Sequence, residues 1–220
     1  MKKAFRAAVS LAFCAVLAGR AQAETKVRVY DGEPSRGGVR AIAPAAPSPS
    51  GGISPFGIGF VPGLQAPAEN WDVWALRISV FACRNRNVYA IDIGGLGNFT
   101  EYDMGGVAVS GIFNIVGSSS GSIQTAGLFN RSHGDFDGIQ IAGAMSYTEG
   151  TMTGFQAGLV NKSNRLAGVQ AGALNVSAKG SGVQIGVVNI SERLEGLQIG
   201  LLNFIDDSPV RFMPLANFSF

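Results

Sequence analysis

GFQAGLVN (154–161), GVQAGALN (168–175), GVQIGVVN (182–189) and GLQIGLLN (196–203) align without a gap, and their glutamines, Gln156, Gln170, Gln184 and Gln198, stand 14 residues apart. Upstream the same slot holds Gln140, Gln124, Ala108 and Asp92, now 16 residues apart. That makes eight units, and Arg77 in LRI (76–78) marks a degenerate ninth. Self-similarity at a short fixed period is the signature of a repeat architecture. Inside a unit the pattern has period two, with Val183, Ile185 and Val187 on one face and Gln184, Gly186 and Val188 on the other. Nothing recurs at 3.6 residues, so each unit predicts a β-strand of about six to nine residues followed by a polar loop such as SERLEG or SAKGSG.

Two closures suit such an array, and both are all-β. In a parallel β-solenoid, equivalent residues of successive coils stack about 4.8 Å apart. Gln124, Gln140, Gln156, Gln170, Gln184 and Gln198 then form one amide ladder, and Asn161, Asn175, Asn189 and Asn203 form a second at a corner. The Gln ladder is either internal, satisfying its own hydrogen bonds, or exposed with the glycines as a flat face that binds a repetitive ligand such as glycan, ice or another copy of the array. The loop leucines Leu166 and Leu194 supply the second side of each coil with apolar groups facing the first. In an antiparallel outer-membrane β-barrel the units would be membrane-crossing strands, and the ending Phe218-Ser219-Phe220 resembles the aromatic last strand of many barrels. The near-uniform loops and the shortage of girdle residues, 2 Trp and 4 Tyr, favour the solenoid.

Outward from the array (91–205), the stretch 206–220 predicts a C-terminal capping strand, and 53–90, with SPFGIGFVPGLQ and WDVWALRISVFA, predicts N-terminal capping strands. Residues 24–52 are rich in Ala, Pro, Gly and Ser and predict an extended tether. Residues 1–23 carry Lys2, Lys3 and Arg6, then an apolar run from Ala7 to Gly19, then Ala21-Gln22-Ala23. This is the pattern of a secretory signal cleaved after an A-x-A site, the run being shorter than the ~20 residues of a membrane-spanning helix.

Composition agrees with a Gly-rich β protein. Of 220 residues, 31 are Gly, about twice the usual share, and charged residues make up 15%, well below the ~25% of an average domain. The chain has 17 basic and 15 acidic residues. Cleavage after Ala23 removes Lys2, Lys3, Arg6 and Arg20 and no acid, which turns the net charge from +2 to −2. A nucleic-acid partner therefore loses its electrostatic basis.

The tandem Gly-x-Gln-x-Gly-x-x-Asn units, the lead-in WALRISVFACRNRNVYAIDIG (74–94) and the ending LLNFIDDSPVRFMPLANFSF (201–220) resemble a family of bacterial exported proteins described as surface repeat-containing proteins. The resemblance covers about 54–220 and implies export and a surface or envelope location; it implies no activity. A shorter similarity, Gln-x-Gly-x-x-Asn, links the units to curlin, the amyloid fibre subunit. The period here is shorter than curlin's, and the second Gln of that pattern is absent.

Chemistry-bearing residues are scarce. The single His, His133, lies in RSHGDFDG (131–138) with Asp135 and Asp137, too few oxygen ligands for a calcium loop. Cys83 is the only thiol outside the signal segment and reads as a small hydrophobe. The Asn-x-Ser/Thr sites at Asn98, Asn130, Asn161, Asn175, Asn189 and Asn217 follow from a corner Asn and a loop Ser. Trp71 and Trp74 seal the start of the array, and Arg84-Asn85-Arg86 forms a basic turn. The sequence thus predicts no catalytic, cofactor or metal residues. It predicts an exported, non-enzymatic bacterial surface or envelope protein with a structural or adhesive role, whose partner is a surface ligand, the outer membrane or another copy of itself.

Overall fold

The computed structural model describes residues 51–219. Residues 1–23, read as a signal, and 24–50, read as a tether, lie outside the described residues; Gly52, expected in the tether, opens the first strand. The strands are β1 (Gly52–Val61), β2 (Leu64–Ala66), β3 (Trp71–Ser79), β4 (Ala82–Asn85), β5 (Val88–Gly94) and β6 (Gly97–Ser110). They continue as β7 (Phe113–Ala126), β8 (Phe129–Ser132), β9 (Phe136–Ala142), β10 (Met145–Ala157), β11 (Val160–Ile205) and β12 (Phe212–Ser219). Among the described residues there is no helix.

Successive units pair in parallel and in register, so the fold is a parallel β-solenoid of about eight turns. Arg77 lies beside Asp92, Asp92 beside Ala108, Ala108 beside Gln124, and so on to Gln156 beside Gln170. The slot read from the sequence is therefore one column, with Arg77 in it. The antiparallel barrel is excluded, because the repeat units pair parallel; among the described residues only β1–β2 and β11–β12 pair antiparallel.

Two local expectations change. The polar loops of the 14-residue units are strand as well, since β11 runs unbroken for 46 residues. A coil this short has no residues to spare for loops, so its corners also pair with the coils on either side. The 16-residue units do break at their corners, giving separate pieces such as β8 and β9. In addition, most of 53–90 is not a cap: β3, β4 and β5 already belong to the parallel stack.

The ends are closed differently from the middle. β2, three residues long, folds back antiparallel on β1, and β12 lies antiparallel on β11. β12 carries Pro214 and an irregularity where Leu215 takes a positive φ of 68°. A proline and a bulge on an outermost strand remove the regular row of donors to which another strand would pair.

The interior holds one apolar column, four residues before the slot, or five where a bulge between Ser119 and Ser122 shifts the register. It runs Val73, Val88, Met104, then Ser119, then Phe136, Met152 and Leu166, with Leu194 further on. Ser119 interrupts it and divides the buried apolar groups into two clusters, one around Val88 and Met104 and one around Phe136, Met152, Leu166 and Leu194. The loop leucines thus line the inside of the coil. Beside it, the slot and Asn columns are mostly polar, with small apolar groups such as Ala108, Ala126 and Ala142 among them.

Candidate interaction surface

The slot glutamines Gln124, Gln140, Gln156, Gln170, Gln184 and Gln198 are fully buried, as are Asn161, Asn175, Asn189 and Asn203. They lie inside the solenoid and present nothing to solvent. From Gln156 onward each amide of the Gln column donates to the coil before it: Gln156 Nε2 to Gln140 Oε1 at 2.9 Å, Gln170 to Gln156 at 2.8 Å, Gln184 to Gln170 at 2.8 Å and Gln198 to Gln184 at 2.7 Å. Gln170 and Gln184 also donate across the coil to the hydroxyls of Ser163 and Ser177.

The Asn column donates the other way, toward the C-terminus. Asn161 Nδ2 reaches Asn175 Oδ1, Asn175 reaches Asn189, and Asn189 reaches Asn203, each at 2.8 Å. The second proton of each amide is held by a backbone carbonyl of the next coil, Ala171, Ile185 and Ile199 in turn, and Asn203 donates to Met213. Each Asn therefore ties a corner to the coil above it. In the 16-residue units Asn98, Asn114 and Asn130 repeat the arrangement, and Ser146 ends it.

At the N-terminal end of the slot column a charge pair replaces the amides. Arg77 donates from Nε to Asp92 Oδ1 at 2.8 Å and from Nη2 to Oδ2 at 2.6 Å, both side chains being buried. The guanidinium also donates to Asn85 Oδ1 and to the Phe99 carbonyl. Ala108 follows, with no amide to offer. Gln124, next to it, has neither amide atom hydrogen-bonded. The residue corresponding to Ser163 and Ser177 in its coil is Val116, so Gln124 lacks a partner across the coil as well as one below. The two positions should therefore respond oppositely to the same substitution. Gln184→Leu breaks a satisfied ladder and is expected to cost about 1–3 kcal/mol, while Gln124→Leu removes two unpaired buried atoms and is expected to be neutral or stabilising. Urea unfolding followed by circular dichroism reads both; equal losses would refute the ladder as a source of stability.

With polar groups inside, the apolar half of the alternation faces out. Ile91, Ile123 and Ile139 before the slot, and Ile93, Val109, Ile141, Ile185 and Ile199 after it, are all exposed. The corner that follows is apolar too: Leu96, Leu128, Leu159, Val187 and Leu201 form an edge along the stack, with Leu159 61% and Leu201 60% exposed. Past that corner come Phe113, Phe129, Met145, Val160 and Val188. From the residue before the slot to the Asn position, no outward residue is charged in any unit from 91 to 203. Charge collects instead at the opposite corner, in Arg131–Glu149 and Arg193–Asp207 pairs. This outer surface is what reasoning about candidate sites missed. The alternation revealed two faces, and attention went to the polar one.

The remaining candidates resolve simply. His133 Nδ1 lies 3.3 Å from Glu149 at the charged corner, and Asp135 accepts the Thr151 backbone N–H. Among the described residues no three His, Cys, Asp or Glu side chains gather where they could hold a metal ion. Cys83 is buried, and that burial raises the pKa of its thiol. Trp74 is exposed and packs on Tyr89 at 5.1 Å. No protein-family profile matches the chain, and neither the curated proteins nor the solved structures contain a match.

Proposed function

We propose that this chain is an exported, non-enzymatic envelope protein whose solenoid presents an apolar outer surface to a partner. The observation that carries this reading is the inverted polarity of the coil from the slot to the Asn position, with Gln and Asn inside and Ile, Val, Leu and Phe outside. Exposed contiguous apolar surface of this extent marks an interaction site. The basic, then apolar, then A-x-A pattern of residues 1–23 supports export, and the resemblance to exported surface repeat proteins points the same way. A growing fibre is disfavoured, because antiparallel strands cover both ends of the stack and the outer one carries Pro214.

The reading is tested in bacterial cells expressing the full chain, by fractionation followed by N-terminal sequencing of the protein that accumulates. The expected result is an envelope or extracellular species beginning at Glu24. A cytoplasmic protein that keeps Met1 would refute export.

A further inference from the structure

We infer that the partner of the outer surface is the acyl region of a lipid layer, into which the solenoid lays its apolar edge while its charged corner stays in water. This rests on the interaction role proposed above and names its occupant.

Three observations select lipid over a second protein. The first is shape. The uncharged surface is convex, for it covers one side of the coil, turns the corner at Leu128, Leu159 and Leu201, and continues along the next side. Eight coils at about 4.8 Å make a body roughly 38 Å long, and the four strand residues of a side, alternate ones facing out, span roughly 13 Å, so one flat side offers roughly 500 Å². That is short of the roughly 800 Å² per partner of a standard stable interface. A second copy docked on one side would also leave the edge and the other side in water. A fluid acyl layer covers all three together.

The second observation is the boundary. On one flank of the uncharged surface, Trp74 packs against Tyr89 with the rings tilted at 47°. On the other, Tyr147 lies between two cations, with Arg131 5.7 Å and Lys162 5.0 Å from its ring. Aromatic rings and long basic side chains are the groups that sit well at the level of lipid headgroups, apolar stem inward and polar tip outward.

The third is the backbone. Lipid tolerates no unpaired N–H or C=O, and the edge meets that condition: Leu96 N donates to Phe81 O, Ile112 to Leu96, Leu128 to Ile112 and Ala144 to Leu128, all within 2.9 Å. The strand edges lie only at the two ends of the stack, away from the apolar edge.

The experiment is vesicle flotation of the full chain, with phosphatidylethanolamine vesicles containing a minor share of phosphatidylglycerol. Wild type is compared with a variant carrying Leu128→Asn, Leu159→Asn, Val187→Asn and Leu201→Asn. Both keep the same N-terminal segment, so the difference reports the edge alone. Wild type should float and the variant should show at least about ten-fold less bound protein, with its β circular dichroism intact. Equal flotation of the two folded proteins would overturn the inference. So would a wild type that stays unbound and forms a discrete dimer dissolved by the same substitutions, which would give the surface to a second copy. A single Leu159→Trp variant gives an independent reading even if the fourfold variant does not fold: its added fluorescence should be quenched by vesicles with brominated acyl chains, and absence of added quenching overturns the proposal. Failure here with envelope location intact refutes the lipid partner only; a cytoplasmic location refutes the broader reading.

Discussion

Asp92→Ala is expected to cost about 3–5 kcal/mol, among the largest losses available to a single side chain in this protein. Arg77 and Asp92 are both sealed inside the stack, and removing the carboxylate leaves a guanidinium with two of its charge-assisted hydrogen bonds gone and no water to replace them. Asn85 and the Phe99 carbonyl remain as acceptors, but neither carries charge. The rescue follows from the register. Both residues occupy the slot that elsewhere holds Gln, so Arg77→Gln combined with Asp92→Gln should allow one more amide rung and recover most of the loss. Thermal and urea unfolding of the single and double variants measures this. A cost below about 1 kcal/mol for Asp92→Ala would mean that water reaches the pair.

Gly182→Ala should lose about 3 kcal/mol or more, from two sources that a second glycine separates. Gly182 has φ +150°, and a methyl group there would stand 2.0 Å from the Gly168 carbonyl oxygen in the coil below. Backbone strain of this kind costs about 1–3 kcal/mol and overpacking a further 1–3. Gly121 also has positive φ, +68°, yet a methyl group would meet nothing within 4 Å. Gly121→Ala should therefore lose only the strain, about 1 kcal/mol. Because each coil is stabilised mainly by its neighbours, the Gly182 variant should also loosen the coils above and below it, seen as faster amide exchange from about 168 to 196. Equal losses at the two glycines would show that the stacked carbonyl gives way easily.

The fold was legible because identical registers recur. The spacing of Gln156, Gln170, Gln184 and Gln198 identifies both the coil and its ladder partners, and the need for apolar groups facing the first side places Leu166 and Leu194 inside. Period-two alternation says nothing, however, about which face is inner, and the usual preference for burying Ile and Val points the wrong way. Space decides it. Glycines flank Gln156, Gln170, Gln184 and Gln198 on both sides, and at Gly182 and Gly186 an added methyl would strike a carbonyl oxygen within 2.2 Å. Only a face of slender amides between glycines fits a 14-residue coil, and the branched aliphatics go outside. The loops were misread for a related reason. SERLEG looks like a solvent loop by composition, yet Ser191 and Leu194 are buried and only the residues between them form the corner. The Arg77–Asp92 pair is legible too: both residues fall in the slot of adjacent units, and stacking them puts two opposite charges next to each other.

The opposed directions of the two amide columns have an electrical consequence. An α-helix adds its peptide dipoles head to tail and so carries partial charge at its ends. Here the Gln amides point toward the N-terminal end of the stack and the Asn amides toward the C-terminal end, over the same coils. Their moments largely cancel, and a sheet backbone adds little. The rod is thus electrically blunt at both ends, with no built-in positive pole to gather anions and no head-to-tail attraction between one rod and the next.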